Sequence, residues 1–218
     1  MLLRAVNAGV NSRITMASLR ECVEETGISV LATYLPSGNL VIEAPRTSTA
    51  RLAEDLGRAV GQRLGRPTPA VVLTGTQLDR VLREAPAVWR EQPGHAHYVI
   101  FLLGSVTAAE LLSGMEPEPD VEQITPAGRR IYWSVRTDAS RSVLARVGRA
   151  QEYQHITVRT LSTLERMREL VHKRDPRTTR GPVAPQSPSI NLRGAKETQG
   201  WLRERQDHDR KQRRRSTH

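Results

Sequence analysis

Cysteine occurs once in the 218 residues, at Cys22, so no internal disulfide can form, which fits a reducing compartment. A lone thiol among helix-forming residues is expected to pack on a buried face rather than to act as a nucleophile. Aromatics are scarce, at 4% with one phenylalanine, and no aromatic signature of an RNA-binding sheet is present. No apolar run reaches the ~18 residues that cross a bilayer. No basic flank precedes a long apolar core at the N-terminus, so a secretory signal is not indicated and a cytoplasmic location is expected. No Ser–His–Asp, Cys–His or paired-carboxylate arrangement assembles from local spacing, so no catalytic residue and no cofactor is assigned.

Charge is abundant but unevenly placed. Of the 33 Lys and Arg and 23 Asp and Glu, thirteen and five fall in residues 173–218, leaving twenty against eighteen in 1–172. The body is therefore nearly neutral and the net charge of +10 sits largely in the tail. Hydrophobic residues amount to 38%, which predicts that part of the chain does not fold. Residues 174–200, rich in Pro, Ser and Thr, are expected to be disordered.

The segment Leu2–Glu43 organises what precedes the tail. A short apolar run at Met1–Leu3 leads into the polar loop Asn7–Arg13. A helix is expected from Met16 to Thr26, capped by Thr15 and stopped at Gly27. The runs Ile28–Leu35 and Leu40–Ile42 then flank the turn Pro36-Ser37-Gly38-Asn39. After Pro45, Thr47 or Ser48 can cap a helix to Leu64 with Leu52, Leu56 and Val60 on one face. Ala70–Leu73 completes a βαββαβ order, and Thr76–Glu84 adds a helix. Pro86 and Pro93 break regular structure across Ala85–Gly94, the expected boundary. The order then repeats. His97–Leu103 is a strand, Thr107–Leu112 a helix, Val121–Thr125 and Arg130–Val135 a hairpin, Ser140–Val147 a helix and His155–Val158 a strand. A final helix through Val171 starts from Thr160 or Ser162. The expected fold is α+β, with two tandem ferredoxin-like (βαββαβ) subdomains, 1–85 and 94–172, and a disordered basic tail, 173–218.

LLRAVNAGVNSRITMASLR, at Leu2–Arg20, resembles the opening motif LLRGINVGGKNKIKMxxLR of the bacterial family known as domain of unknown function 1697. PSGNLVIE resembles that family's QSGNVVFE hairpin, His97–Leu102 its HVxFL strand, and Thr157–Leu164 its closing TxRNWNTV segment. The resemblance spans residues 1–172 and implies a ferredoxin-like fold, but no reaction. Ala5 and Val10 replace glycines, Pro36 a glutamine, and Thr160, Leu161 and Ser162 replace Asn, Trp and Asn. If those positions form a site in relatives, this chain lacks part of it. Relatives carry several residues before the motif, which implies a short first strand or a start upstream of Met1.

The loop Asn7–Arg13, leaving a strand and entering a helix, is the expected place for a small anionic ligand, because backbone N–H groups and the helix dipole favour negative charge there. Asn7, Gly9, Asn11 and Arg13 belong to it, and Arg4, Ser37, Asn39 and Arg159 are further donors. With Gly9 as its only glycine, the loop is neither a P-loop nor a dinucleotide fingerprint. The plainer account is turn geometry for Asn7 and Gly9 and a solvated Arg13. His95 and His97 share one strand face, but no third ligand stands near at metal spacing, so no metal is expected. In the tail, Trp201, Arg203, Arg205, Arg213, Arg214 and Arg215 can hold nucleic acid weakly through phosphate contacts and stacking. A binding or interaction protein without catalysis is the leading expectation, followed by nucleic-acid association and then an enzyme assembled from distant loops.

Overall fold

The computed structural model describes residues 1–4, 6, 14–113, 116–139 and 154–173. Two four-stranded antiparallel sheets form a mixed α/β architecture. In the first, β1 (Leu2–Leu3), β2 (Ser29–Tyr34), β3 (Asn39–Glu43) and β4 (Ala70–Val71) lie in the order β2-β3-β1-β4. In the second, β5 (His95–Leu102), β6 (Glu122–Ala127), β7 (Arg130–Arg136) and β8 (Ile156–Thr160) lie in the order β6-β7-β5-β8.

Helix α1 (Met16–Glu24) starts where Thr15 accepts a hydrogen bond from the Ser18 N–H at 3.0 Å, the expected cap. It buries Leu19, Cys22 and Val23. Helix α2 (Thr49–Leu64) buries Leu56 and Val60 and ends at Gly65 in the left-handed region. Both pack on the face of the first sheet that carries Leu3, Val30 and Leu40. The alternate residues Leu2 and Val41 point to the opposite face, as the two-residue strand period requires.

A second core fills that opposite side. It joins Leu2 and Val41 to α3 (Gly75–Arg83), to α5 (Leu161–His172), to Trp89, and to Val99, Phe101 and Tyr132 of the second sheet. The far face of the second sheet, with Tyr98, Ile100, Ile131 and Trp133, packs on α4 (Ala108–Leu112). Helices α3 and α5 are thus shared filling between the sheets.

Several boundaries differ from the sequence expectation. β4 is two residues long, Ala70–Val71, because between β1 and β4 only Leu2↔Val71 and Leu3↔Ala70 pair. β5 begins at His95, whose partner is Arg136. β6 runs through Pro126 to Ala127, which an edge strand tolerates because its N–H side needs no partner. Ala85–Gly94 is not irregular throughout. Ala87–Glu91 forms a 3-10 helix that carries Trp89, 5% exposed, into the shared core. The expected helix Ser140–Val147 and the tail lie outside the described residues. Among the described residues no helix is long and apolar enough to cross a membrane.

Candidate functional site

Three of the expected ligand-binding residues meet. The Arg159 guanidinium, on β8, reaches the first sheet. There its Nε donates to Asn39 Oδ1 at 2.6 Å, and its Nη2 donates to the carbonyls of Leu3 at 2.6 Å and Ser37 at 3.1 Å. Its Nη1 donates to Thr157 Oγ1 at 2.9 Å and to the Val158 carbonyl at 2.7 Å. Asn39 Nδ2 donates in turn to Ser37 Oγ at 2.9 Å and to the Tyr34 carbonyl at 2.9 Å. A guanidinium has five N–H groups, and all five are used. Burial pulls Arg159 below the usual arginine value, to about 10, so it remains a cation at neutral pH. Its hydrogen-bond partners are neutral oxygens, and no N–H is left to grip a ligand. The geometry makes Arg159 a fastening between the sheets rather than an open anion contact.

The other expected positions divide two ways. The Arg4 backbone N–H donates to the Pro69 carbonyl at 2.8 Å, which ties the end of β1 to the loop before β4. Asn7, Gly9, Asn11 and Arg13, like Trp201, Arg203, Arg205, Arg213, Arg214 and Arg215, lie outside the described residues. His95 and His97 stand parallel with ring centroids 6.5 Å apart, and His97 stacks on Trp89 at 4.6 Å. Burial, then the neighbouring His95, lowers the His97 pKa. No set of three metal-ligating side chains occurs among the described residues.

A concave site lies elsewhere. A groove of about 590 Å³ crosses the end of the first sheet where β1 begins and β3 and β4 finish. Its volume is typical of small-molecule sites, roughly 300–1,000 Å³. It is lined by Leu2, Leu40, Val41 and Val72 of the first sheet and its β4 end, by Leu78 of α3 and by Leu164, Met167 and Val171 of α5. Arg46, Thr47 and Thr49, at the start of α2, form a polar rim, and Leu52 of the same helix also lines the groove. Among the described residues, neither a carboxylate nor an aromatic side chain lines it.

That rim is electropositive for two local reasons. Arg46 is exposed and pairs with none of the described residues. Ser48, at the N-cap of the sixteen-residue α2, makes no side-chain cap hydrogen bond, and no acidic residue occupies the first turn. The free N–H groups and positive dipole end of α2 are therefore left open beside Arg46. By contrast, Thr74 with Gln77 closes the start of α3, which borders the same groove, by a reciprocal capping box. From sequence, Thr47 reads only as a candidate helix cap, and neither Arg46 nor Thr49 stands out as a binding residue. The available signal was the run Pro45-Arg46-Thr47-Ser48-Thr49 followed by no Asp or Glu before Glu54.

Residues 1–132 match the family described as "Protein of unknown function (DUF1697)". No curated protein matches the sequence. Among solved structures, the conserved bacterial protein SP0830 from Streptococcus pneumoniae is similar, with a TM-score of 0.64 and 20% identity. The match covers 78% of this chain and 96% of that one. At that identity the likeness speaks to fold alone.

Proposed function

The chain belongs to the DUF1697 family of proteins of unknown function, and from that premise we propose that it is a non-enzymatic binding protein for a small amphipathic anion. The groove at the end of the first sheet is the site. The single observation that carries this reading is an apolar trough that no carboxylate lines among the described residues, with Arg46, which pairs with none of those residues, beside the uncapped start of α2. An apolar body gains about 25 cal/mol per Å² of surface removed from water. The rim selects a carboxylate or phosphate head by charge and by backbone N–H donors.

The scaffold for this site is two ferredoxin-like βαββαβ units, 1–85 and 94–172. The 2-3-1-4 order within each antiparallel sheet supports that reading. The linking stretch buries Trp89 between them, so the pair acts as one body.

Calorimetric titration with decanoate and decyl phosphate tests the proposal. Saturable binding of at least one, weakened about tenfold or more by Arg46→Ala, is the expected result. No heat at millimolar concentrations of either, or binding indifferent to Arg46, overturns it.

A second reading rests on charge alone. The surplus in 173–218 suits weak nucleic-acid association. Retention on RNA or DNA that falls steeply with salt and is lost on deleting 174–218 is its signature. Retention that survives the deletion removes it.

A further inference from the structure

We infer that the body of the ligand is an unbranched aliphatic chain, and that Val171 on α5 sets the chain length the groove accepts. This rests on the binding reading above and deepens it.

The lining side chains that supply apolar surface are aliphatic, proline or methionine, and among the described residues no aromatic ring lines the groove on which a nucleobase or aryl group would stack. Leucine, valine and methionine side chains conform to a flexible methylene chain instead, Met167 most readily because its thioether is unbranched.

The direction follows from which core each lining residue belongs to. Leu52, on the helix that starts beside Arg46, packs with the core under α1 and α2. Leu78, Leu164 and Met167 belong to the core shared between the sheets, and Val171 packs against it. A ligand whose head sits at Arg46 and Thr49 therefore lays its chain across the strand ends toward α5. There the trough meets a fixed stop. A Cβ added at Gly75 would lie 3.2 Å from Val171 Cγ1, so α3 and α5 already touch at that point. One residue on, His172 Nε2 lies 3.2 Å from Asp79 Oδ1, which holds the two helices together.

The test uses the full chain and the straight-chain carboxylates from hexanoate to tetradecanoate, titrated by calorimetry. Each methylene buried is worth about a fourfold gain in affinity, so affinity climbs by that factor until the chain reaches α5 and then levels off. Val171→Ala moves the break to longer chains and Val171→Phe to shorter ones. Val171 is only half-buried, and unfolding midpoints equal to that of the unaltered chain would establish that both variants fold. If carboxylates bind but affinity ignores chain length, or the break stays put in both variants, the inference fails while the binding site stands. If no carboxylate and no alkyl phosphate binds, the site itself fails and this inference with it.

Discussion

Arg159 and Asn39 stand 120 residues apart in the chain and are joined by a 2.6 Å hydrogen bond from the guanidinium Nε to the amide Oδ1. That bond crosses from the edge strand of one sheet to the middle of the other, in a site where Arg159 is 8% and Asn39 0% exposed. Neither residue can lose its partner and turn to water instead.

Replacing Arg159 with Met leaves Asn39 Oδ1 and the carbonyls of Leu3 and Ser37 without this donor. The expected loss is about 3 kcal/mol of unfolding free energy in urea. Arg159→Lys recovers part of it, since an ammonium has three donors and no planar fork. A loss below about 1 kcal/mol for the Met variant would show that water takes over the orphaned acceptors.

Gly38 makes the turn between β2 and β3 at φ +78°, and a Cβ there would sit 2.8 Å from Leu3 Cβ and 3.1 Å from Val6 Cβ. Gly38→Ala therefore carries both a left-handed penalty and an overpacked core, together about 2–4 kcal/mol. Gly65 also has positive φ, +63°, but nothing within 4 Å of a Cβ. Gly65→Ala should cost only about 1 kcal/mol. Equal losses for the two would mean that the Leu3 contact relaxes without cost.

Acid should weaken the fold through His97. Its folded-state pKa is lowered by burial and by His95, so below the ordinary value of 6.5 the unfolded chain takes up a proton that the folded chain resists. The stability is fully present above pH 6.5 and declines as pH falls toward the folded pKa. His97→Phe preserves a ring against Trp89 and removes the titration. Urea midpoints measured between pH 7.5 and 5.5 should fall less steeply in the variant. Parallel curves would assign the acid sensitivity to other groups.

Cys22 is 4% exposed on the buried face of α1, and burial raises its thiol pKa. A thiol reagent at pH 8 should label the native protein far more slowly than the urea-unfolded chain, because reaction needs a thiolate and an opened helix. Stoichiometric labelling within the mixing time would place the thiol at the surface.

Local signals specified local structure well. Thr15 and Thr160 cap the helices that follow them, and Gly38 occupies the left-handed turn that Pro36-Ser37-Gly38-Asn39 promised. The extent of β4 was poorly marked, since it ends at Val71 where its pairing with β1 runs out, not at Leu73 where the apolar run does. Trp89 lies between two prolines, so the local pattern pointed to a break, yet the shared core draws the segment into a 3-10 turn. Ser48 was a fair cap candidate by residue type, but its side chain makes no cap bond.

By itself, the sequence determined the order of helices and strands, the turn and cap chemistry, and the separation of a near-neutral body from a cationic tail. These follow from periodicity, backbone preference and composition, which act over a few residues. Only the tertiary structure decided that Arg159 would send three of its five donors across the seam, and that an aliphatic trough would open beside Arg46. Both depend on residues far apart in the chain becoming neighbours, and no short window of sequence encodes which distant surfaces exclude water from one another.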